Sequence, residues 1–126
     1  MKFKVVYSIL GFEDEKEYVL EQIDDMFYKL KGKNVEFTLI NPFTIRKDYD
    51  FEVDEKFAEN LNLEKGNILV LNILTLQNPF LETTVNFAAP VILNLKDKLM
   101  AQVVLDKYNY SLAKPLKDFI KDNNEN

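Results

Sequence analysis

Cysteine, histidine and tryptophan are all missing from the 126 residues of this chain. Without cysteine and histidine there are no disulfides, no thiol or imidazole nucleophiles, and none of the usual ligands of zinc or haem. The three glycines, Gly11, Gly32 and Gly66, are too far apart to form a local phosphate-binding loop. These absences favour a binding function, and we expect no enzymatic activity, no cofactor and no metal site.

Long hydrophobic runs are missing as well, although 47% of the residues are hydrophobic. The apolar segments are too short to cross a membrane or to form the core of a secretory signal. We therefore expect a cytoplasmic protein with a hydrophobic core of normal size. The length corresponds to a single domain, which we place at residues 1–121, followed by a disordered tail at residues 122–126.

The charge is acidic and unevenly distributed along the chain. There are 21 acidic and 16 basic residues, which gives a net charge of −5. Residues 1–64 carry 15 acids and 9 bases, whereas residues 65–126 carry 6 acids and 7 bases. An acidic protein repels nucleic acid and anionic lipid, so we expect neither as a direct partner. A basic protein surface is the better complement.

Short apolar segments, many of them alternating, predict a mainly β protein. Predicted strands cover residues 1–9, 35–40, 48–53, 68–76, 83–87, 90–95 and 99–105, with two shorter apolar pieces at residues 18–23 and 27–30. Crossover helices of the kind that join parallel strands are missing. The predicted fold is therefore a small antiparallel β-barrel-like domain with one short capping helix.

The capping helix is predicted to begin after Asp54, which is a suitable N-cap residue. Phe57, Ala58 and Leu61 would share one face of this helix. A last helical turn is predicted at residues 115–121, with Leu116, Phe119 and Ile120 directed inward.

Two acidic segments raise the question of chemistry. Six carboxylates fall within residues 48–59, and four of them match the ligand spacing of an EF-hand calcium loop. Position six of that loop is normally glycine and is Val53 here, so a solvated acidic face is the better interpretation. The second segment, residues 13–17, is predicted to be an exposed loop that aids solubility rather than a catalytic carboxylate pair.

Asparagine is frequent, with 13 copies, and several lie where strands disfavour it. Asn41, Asn72, Asn86 and Asn94 lie in or beside predicted strands. Two interpretations remain open. Their side chains satisfy backbone groups at bulges and strand ends, or they provide polar contacts within an apolar binding face.

Six segments in a defined order carry a family resemblance. They are residues 10–13 (LGFE), 37–43 (FTLINPF), 48–53 (DYDFEV), 69–76 (LVLNILTL), 84–94 (TVNFAAPVILN) and 102–112, which contains QVVL and YSL. Together they resemble the flagellar assembly factor FliW family, and the most specific of them is the segment at residues 84–94. Asn41 stands where the family more often has aspartate.

The resemblance implies a small β-barrel-like fold with a helical cap and a regulatory, non-enzymatic function in the cytoplasm. Its expected partners are flagellin and CsrA, a small dimeric RNA-binding protein that represses flagellin translation. From the residues themselves, and not from the resemblance, we expect Asp48, Asp50 and Glu52 to meet basic side chains of CsrA, with Asn41, Phe43 and Asn86 as further partner-binding candidates. A chaperone that binds only flagellin and a barrel that binds a small ligand are the alternatives.

Overall fold

The computed structural model describes residues 1–119, and its secondary structure is mainly β. The strands are β1 (Lys2–Tyr7), β2 (Glu17–Gln22), β3 (Phe27–Lys31), β4 (Glu36–Ile40), β5 (Ile68–Thr75), β6 (Thr84–Val85), β7 (Val91–Asn94), β8 (Leu99–Gln102) and β9 (Lys114–Pro115). The helix α1 spans Glu55–Asn60, and short 3-10 turns cover Pro42–Thr44, Leu63–Lys65 and Phe80–Glu82.

Seven of the strands close into a barrel. They follow the order β4-β3-β2-β1-β8-β7-β5, and β5 pairs with β4 to complete the ring. The predicted β-barrel is therefore confirmed, with one difference in strand direction. β1 and β8 are parallel, whereas the other pairings are antiparallel. Strands this distant in sequence are not joined by a hairpin, so no turn forces them to be antiparallel.

The core lies inside the barrel because alternate residues of each strand point inward. The fully buried side chains of this cluster are Phe3, Leu30, Leu39, Leu71, Val91, Leu93 and Met100. A second cluster lies between the barrel wall and the segments that cross it, and it includes Tyr49, Leu61, Phe87 and Leu105. The barrel interior is thus filled by side chains.

The strands predicted at residues 83–87 and 90–95 are present in shortened form as β6 and β7, and a bulge separates them. β7 pairs with β5 through Ile68 to Leu71, and β6 pairs with the same strand through Leu74 and Thr75. Residues 86–90 lie between these two pairings and contain more residues than the opposite stretch of β5. We call residues 86–90 the Asn86 bulge. Pro90, which cannot donate a backbone hydrogen bond, lies at its end.

Helix α1 begins where the sequence predicts. The Asp54 side chain accepts a hydrogen bond from the Lys56 backbone N–H at 3.4 Å, which confirms Asp54 as the N-cap. Near the C-terminus, Leu116 is buried and residues 117–119 are helical. The rest of the predicted last turn and the predicted tail at residues 122–126 lie outside the described residues.

Two predictions from the acidic segments are wrong. Residues 48–53 form no strand, and the backbone N–H groups of Asp50 and Glu52 donate to tyrosine hydroxyls instead of to a neighbouring strand. Glu15, predicted to be exposed, is only 5% exposed, and its Oε1 accepts a hydrogen bond from the Asn34 N–H at 2.8 Å. Glu15 therefore holds the β3–β4 turn. A Cβ atom at Gly32 would lie 2.4 Å from Glu15 Oε1, so any other residue there would displace the Glu15 carboxylate from its present position.

None of the helices within residues 1–119 combines the length and the apolar character needed to span a bilayer.

Candidate protein-interaction face

The candidate face is built around residues 41–54, which cross the outside of the barrel from β4 to α1. We call this segment the strap. Its start is held by Asn41, whose side chain accepts a hydrogen bond from the Phe43 N–H at 3.1 Å. The Thr44 hydroxyl donates to the Asn41 carbonyl at 2.7 Å. Asn41 thus initiates the turn at Pro42–Thr44, as an Asx cap does.

Two tyrosines hold the middle of the strap in place of a neighbouring strand. The Tyr110 hydroxyl donates to the Asp50 carbonyl at 2.6 Å and accepts from the Asp50 N–H at 3.1 Å. The Tyr108 hydroxyl accepts from the Glu52 N–H at 2.7 Å. The two rings stack with centroids 5.7 Å apart. We call Tyr108 and Tyr110 the tyrosine clasp, since they satisfy backbone groups that a sheet would otherwise satisfy.

A third tyrosine anchors the strap to the core. Tyr49 is 3% exposed, and its hydroxyl donates to the Phe87 carbonyl at 2.7 Å and accepts from the Asn72 amide at 3.2 Å. Burial raises the pKa of Tyr49 to about 12, because the charged phenolate would lose its hydration. The ring packs edge-on against the rings of Phe87 and Tyr110, at 5.2 and 4.9 Å.

The alternation predicted for this segment is present even without a strand. Tyr49 is buried and Phe51 is half-buried, whereas Asp48, Asp50 and Glu52 are exposed. The three carboxylates therefore line the outer surface of the strap. Asp48 lies 3.6 Å from the Arg46 guanidinium, a distance longer than a hydrogen bond.

The tertiary structure adds a further carboxylate to this acidic row. A groove of about 570 Å³ runs between the end of the strap and the segment after β8. Glu52 and Asp54 line one side, and Val104, Asp106, Lys107 and Tyr108 line the other, so three carboxylates share the groove with one ammonium group. Val104 is 52% exposed, so the groove offers an apolar contact among charges that are mostly negative. We call the exposed carboxylates of Asp48, Asp50, Glu52, Asp54 and Asp106 the acidic face.

An apolar groove adjoins the acidic face. It encloses about 250 Å³ and is lined by Phe43, Phe51, Val53, Leu63 and Ile68, among others. Phe43 and Ile68 are 43% and 39% exposed, so both present apolar surface to solvent at this groove. The face thus combines a charged rim with an apolar groove, the arrangement found at many protein interfaces.

The asparagines singled out from the sequence have structural roles here. The Asn86 side chain accepts hydrogen bonds from the Ala88 and Ala89 N–H groups, both at 3.0 Å, and so shapes the bulge. The Asn72 amide donates to the Asn86 carbonyl at 2.7 Å. Asn94 is fully buried and donates to the Leu61 carbonyl at 2.8 Å. These contacts favour the interpretation in which asparagine satisfies backbone groups.

Several residues of the face were not predicted from the sequence. Asp106, Tyr108, Tyr110 and Ile68 all reach it from segments distant along the chain. The one local signal was the alternate spacing of Tyr108 and Tyr110, which is typical of residues that share one side of an extended segment. Within the described part of the chain, no group of three or more acidic side chains is placed to hold a metal ion.

Comparison with known proteins assigns this arrangement to a family. A sequence model described as FliW protein matches residues 2–116. The chain is 44% identical to the flagellar assembly factor FliW of Sulfurimonas denitrificans, covering 96% of this chain and 99% of that protein. It is also 44% identical to the FliW of Campylobacter lari, covering 96% and 98%. A crystal structure of a flagellar assembly factor FliW superposes with a TM-score of 0.83 at 32% identity, covering 91% of this chain and 84% of that one.

Proposed function

Because the chain belongs to the FliW family of flagellar assembly factors, we propose that it binds flagellin and CsrA in the cytoplasm without acting as an enzyme. In this function, flagellin occupies the protein while its synthesis exceeds its export. Once flagellin has been exported, the free protein binds CsrA and relieves its repression of flagellin translation. The observation that carries the CsrA part is the acidic face, with five exposed carboxylates beside an apolar groove.

The acidic face suits a basic RNA-binding partner. Oppositely charged surfaces attract and orient one another before contact, which raises the association rate. A negative surface placed beside a basic RNA-binding groove also repels RNA phosphates through the same Coulomb interaction. Asp50 and Glu52 are held by the tyrosine clasp through their backbone, so their carboxylates remain available to a partner.

The apolar groove suits flagellin better than the charged rim does. An amphipathic helix binds by inserting apolar side chains into a groove. Phe43 and Ile68 are the exposed walls of such a groove here. We therefore place flagellin contacts at Phe43 and Ile68, and CsrA contacts at Asp48, Asp50 and Glu52.

Charge reversal tests the CsrA contact. We expect Asp50→Lys with Glu52→Lys to slow CsrA association roughly tenfold at about 50 mM salt and far less at about 300 mM salt. The matched control is Asp14→Lys with Asp25→Lys, because both side chains are exposed and lie outside the acidic face. The measurement is the association rate of each double variant with surface-immobilised CsrA at both salt concentrations. Equal slowing by both double variants would contradict a specific acidic face.

Truncation of the apolar walls tests the flagellin contact. We expect Phe43→Ser with Ile68→Ser to weaken flagellin binding by about tenfold or more, because buried aromatic and aliphatic anchors dominate interface energies. Leu112→Ser is the control, since Leu112 is 70% exposed and lies outside the groove. If the double variant still binds flagellin normally, the contact lies on another surface.

The remaining alternatives are separable. A chaperone that binds only flagellin would show no interaction with purified CsrA. A ligand-binding barrel is disfavoured because Leu30, Leu71 and Met100 fill the interior.

In a gel shift at about 150 mM salt we expect no complex between this protein alone and a flagellin leader RNA, because an acidic surface gains nothing from counterion release.

A further inference from the structure

One surface of this acidic protein has the opposite charge. A pocket of about 460 Å³ opens beside the start of the strap. Three cationic side chains line it, Arg46, Lys47 and Lys114, against one carboxylate, Asp48. We call it the basic pocket. The basic pocket shares Asp48 with the acidic face, but its three cationic side chains lie outside that face, and the family function proposed above does not account for them.

Arg46 is held in a fixed position at this pocket. Its guanidinium carbon lies 5.1 Å from the centroid of the Phe87 ring and 5.0 Å from that of Tyr110. Both rings are themselves anchored by contacts with Tyr49. A guanidinium that is stacked on aromatic rings loses little further freedom when it binds an anion.

Lys114 brings the second charge from a distant part of the sequence. It lies in β9, which pairs with β6, so its backbone is fixed by the sheet. Its ammonium group lies 5.9 Å from the centroid of the Phe119 ring and 3.5 Å from the Asp118 carboxylate. The pair with Asp118 is partly exposed, and exposed pairs of this kind exchange partners at little free-energy difference.

The walls of the pocket indicate the kind of anion. Ile45 and Phe119 provide apolar surface beside the charges. Arginine recognises carboxylates through paired N–H groups, and the apolar walls suit a neighbouring hydrophobic side chain of a peptide. A polyanion such as nucleic acid would also meet the acidic remainder of the surface and be repelled.

We infer that the basic pocket is a second binding site, which receives an acidic peptide segment of a partner protein with a carboxylate side chain next to an apolar one. The carboxylate lies between Arg46, Lys47 and Lys114, and the apolar side chain packs on Ile45 and Phe119. This site would allow one partner to be held at the basic pocket while another contacts the acidic face.

The direct probe is the peptide acetyl-Glu-Phe-Glu-amide, titrated into the isotope-labelled full chain and followed by amide NMR shifts. We expect saturable shifts centred on Arg46, Lys47 and Lys114. The peptide acetyl-Gln-Phe-Gln-amide should bind much more weakly, because it lacks the charges. If both peptides bind equally, or if the shifts centre elsewhere, the inference is overturned. Inorganic phosphate forms the third arm, and phosphate binding equal to that of the glutamate peptide would overturn the assignment to a carboxylate peptide.

Charge-neutral variants give a second readout. We expect Lys47→Gln with Lys114→Gln to weaken binding of the glutamate peptide roughly three- to tenfold, since two partly exposed ion pairs are lost. Lys96→Gln is the control, because Lys96 is exposed and lies outside the pocket. Circular dichroism verifies that the variants are folded, and Arg46 is left intact because its ring contacts also stabilise the fold. Unchanged binding by the folded double variant would overturn the inference.

Discussion

The barrel wall and the strap show two ways of ordering an extended chain. In the barrel, β3 and β4 pair over five residues, from Phe27 opposite Ile40 to Lys31 opposite Glu36. In the strap, residues 48–53 have the same alternation of polar and apolar side chains but pair with no strand. Tyrosine hydroxyls satisfy part of their backbone instead. Alternation therefore specifies which side chains face inward, whereas strand formation also requires a free neighbouring edge.

The difference has a consequence for stability. Backbone pairing within a closed barrel ties each strand to two neighbours, so local opening requires much of the structure to open. The strap depends on a few side-chain contacts, chiefly those of Tyr49, Tyr108 and Tyr110. We expect the barrel to unfold as one unit and the strap to open at lower free energy. Four of the five carboxylates of the acidic face lie on the strap, the less strongly anchored of the two regions.

The largest effect is expected in the barrel core. Leu93 is fully buried, and Leu93→Ala should lower the free energy of unfolding by roughly 2–5 kcal/mol, through lost burial and the cavity that remains. Val104→Ala is the matched control, because Val104 is 52% exposed and should change stability by less than about 0.5 kcal/mol. Urea denaturation measures both. Equal losses would contradict the assignment of the core.

The Asn86 bulge, whose Phe87 carbonyl accepts a hydrogen bond from Tyr49 of the strap, should be sensitive to added volume. Ala89 is 3% exposed and lies directly beside Asn86, so Ala89→Leu should lower the free energy of unfolding by roughly 1–3 kcal/mol. Ala113→Leu provides the comparison at an exposed alanine. If thermal unfolding of the Ala89→Leu variant matches that of the unmodified protein, the site is open and belongs among the partner-binding candidates.

Alkaline pH should lower the free energy of unfolding, because the barrel and the strap each contain one buried tyrosine that resists ionisation. The pKa of Tyr18 in the barrel and that of Tyr49 in the strap are both raised to about 12, chiefly by burial. Each pKa exceeds the unfolded value of about 10, so the stabilising contribution is complete below pH 10 and is lost as the pH rises toward 12. In that window, the ionisation of each tyrosine should lower the free energy of unfolding by up to about 1.4 kcal/mol per pH unit.

Urea denaturation at several pH values between about 9 and 11.5 measures this slope. Tyr18→Phe and Tyr49→Phe should each reduce it by a similar amount, since the same ionisation is removed. A slope that neither substitution changes would show that these hydroxyls ionise equally well in the folded and unfolded chains.

The smallest global effect is expected from the tyrosine clasp. Tyr108→Phe with Tyr110→Phe removes the hydroxyl contacts of Asp50 and Glu52, at a loss of about 1 kcal/mol in unfolding free energy. Hydrogen exchange of these two amides should accelerate several-fold, while exchange of Leu30 and Leu39 in the barrel stays unchanged. Acceleration in both regions would mean that strap and barrel open together.

Much of the barrel could be predicted because its determinants are local. The alternation of apolar and polar residues predicted most of the strands. The ability of the Asp54 side chain to cap a helix predicted the start of α1. Glu15 was missed because nothing in its acidic neighbourhood indicates burial. Its partner is the backbone of Asn34, which only the meeting of two loops brings near, with Gly32 providing the space.

The residues of the candidate face also fall into two groups, those that local sequence predicts and those that only the tertiary structure brings together. The outward direction of Asp48, Asp50 and Glu52 follows from the two-residue period of an extended chain, so the amino-acid order alone was sufficient to predict it. Asp106 and Ile68 join the face because the barrel closes and brings distant segments together, and Lys114 joins the basic pocket because β9 pairs with β6. Periodicity reports which way a side chain points relative to its own backbone. Which surfaces meet depends on long-range pairing, because contact between distant segments is set by the whole sheet and not by neighbours in the chain.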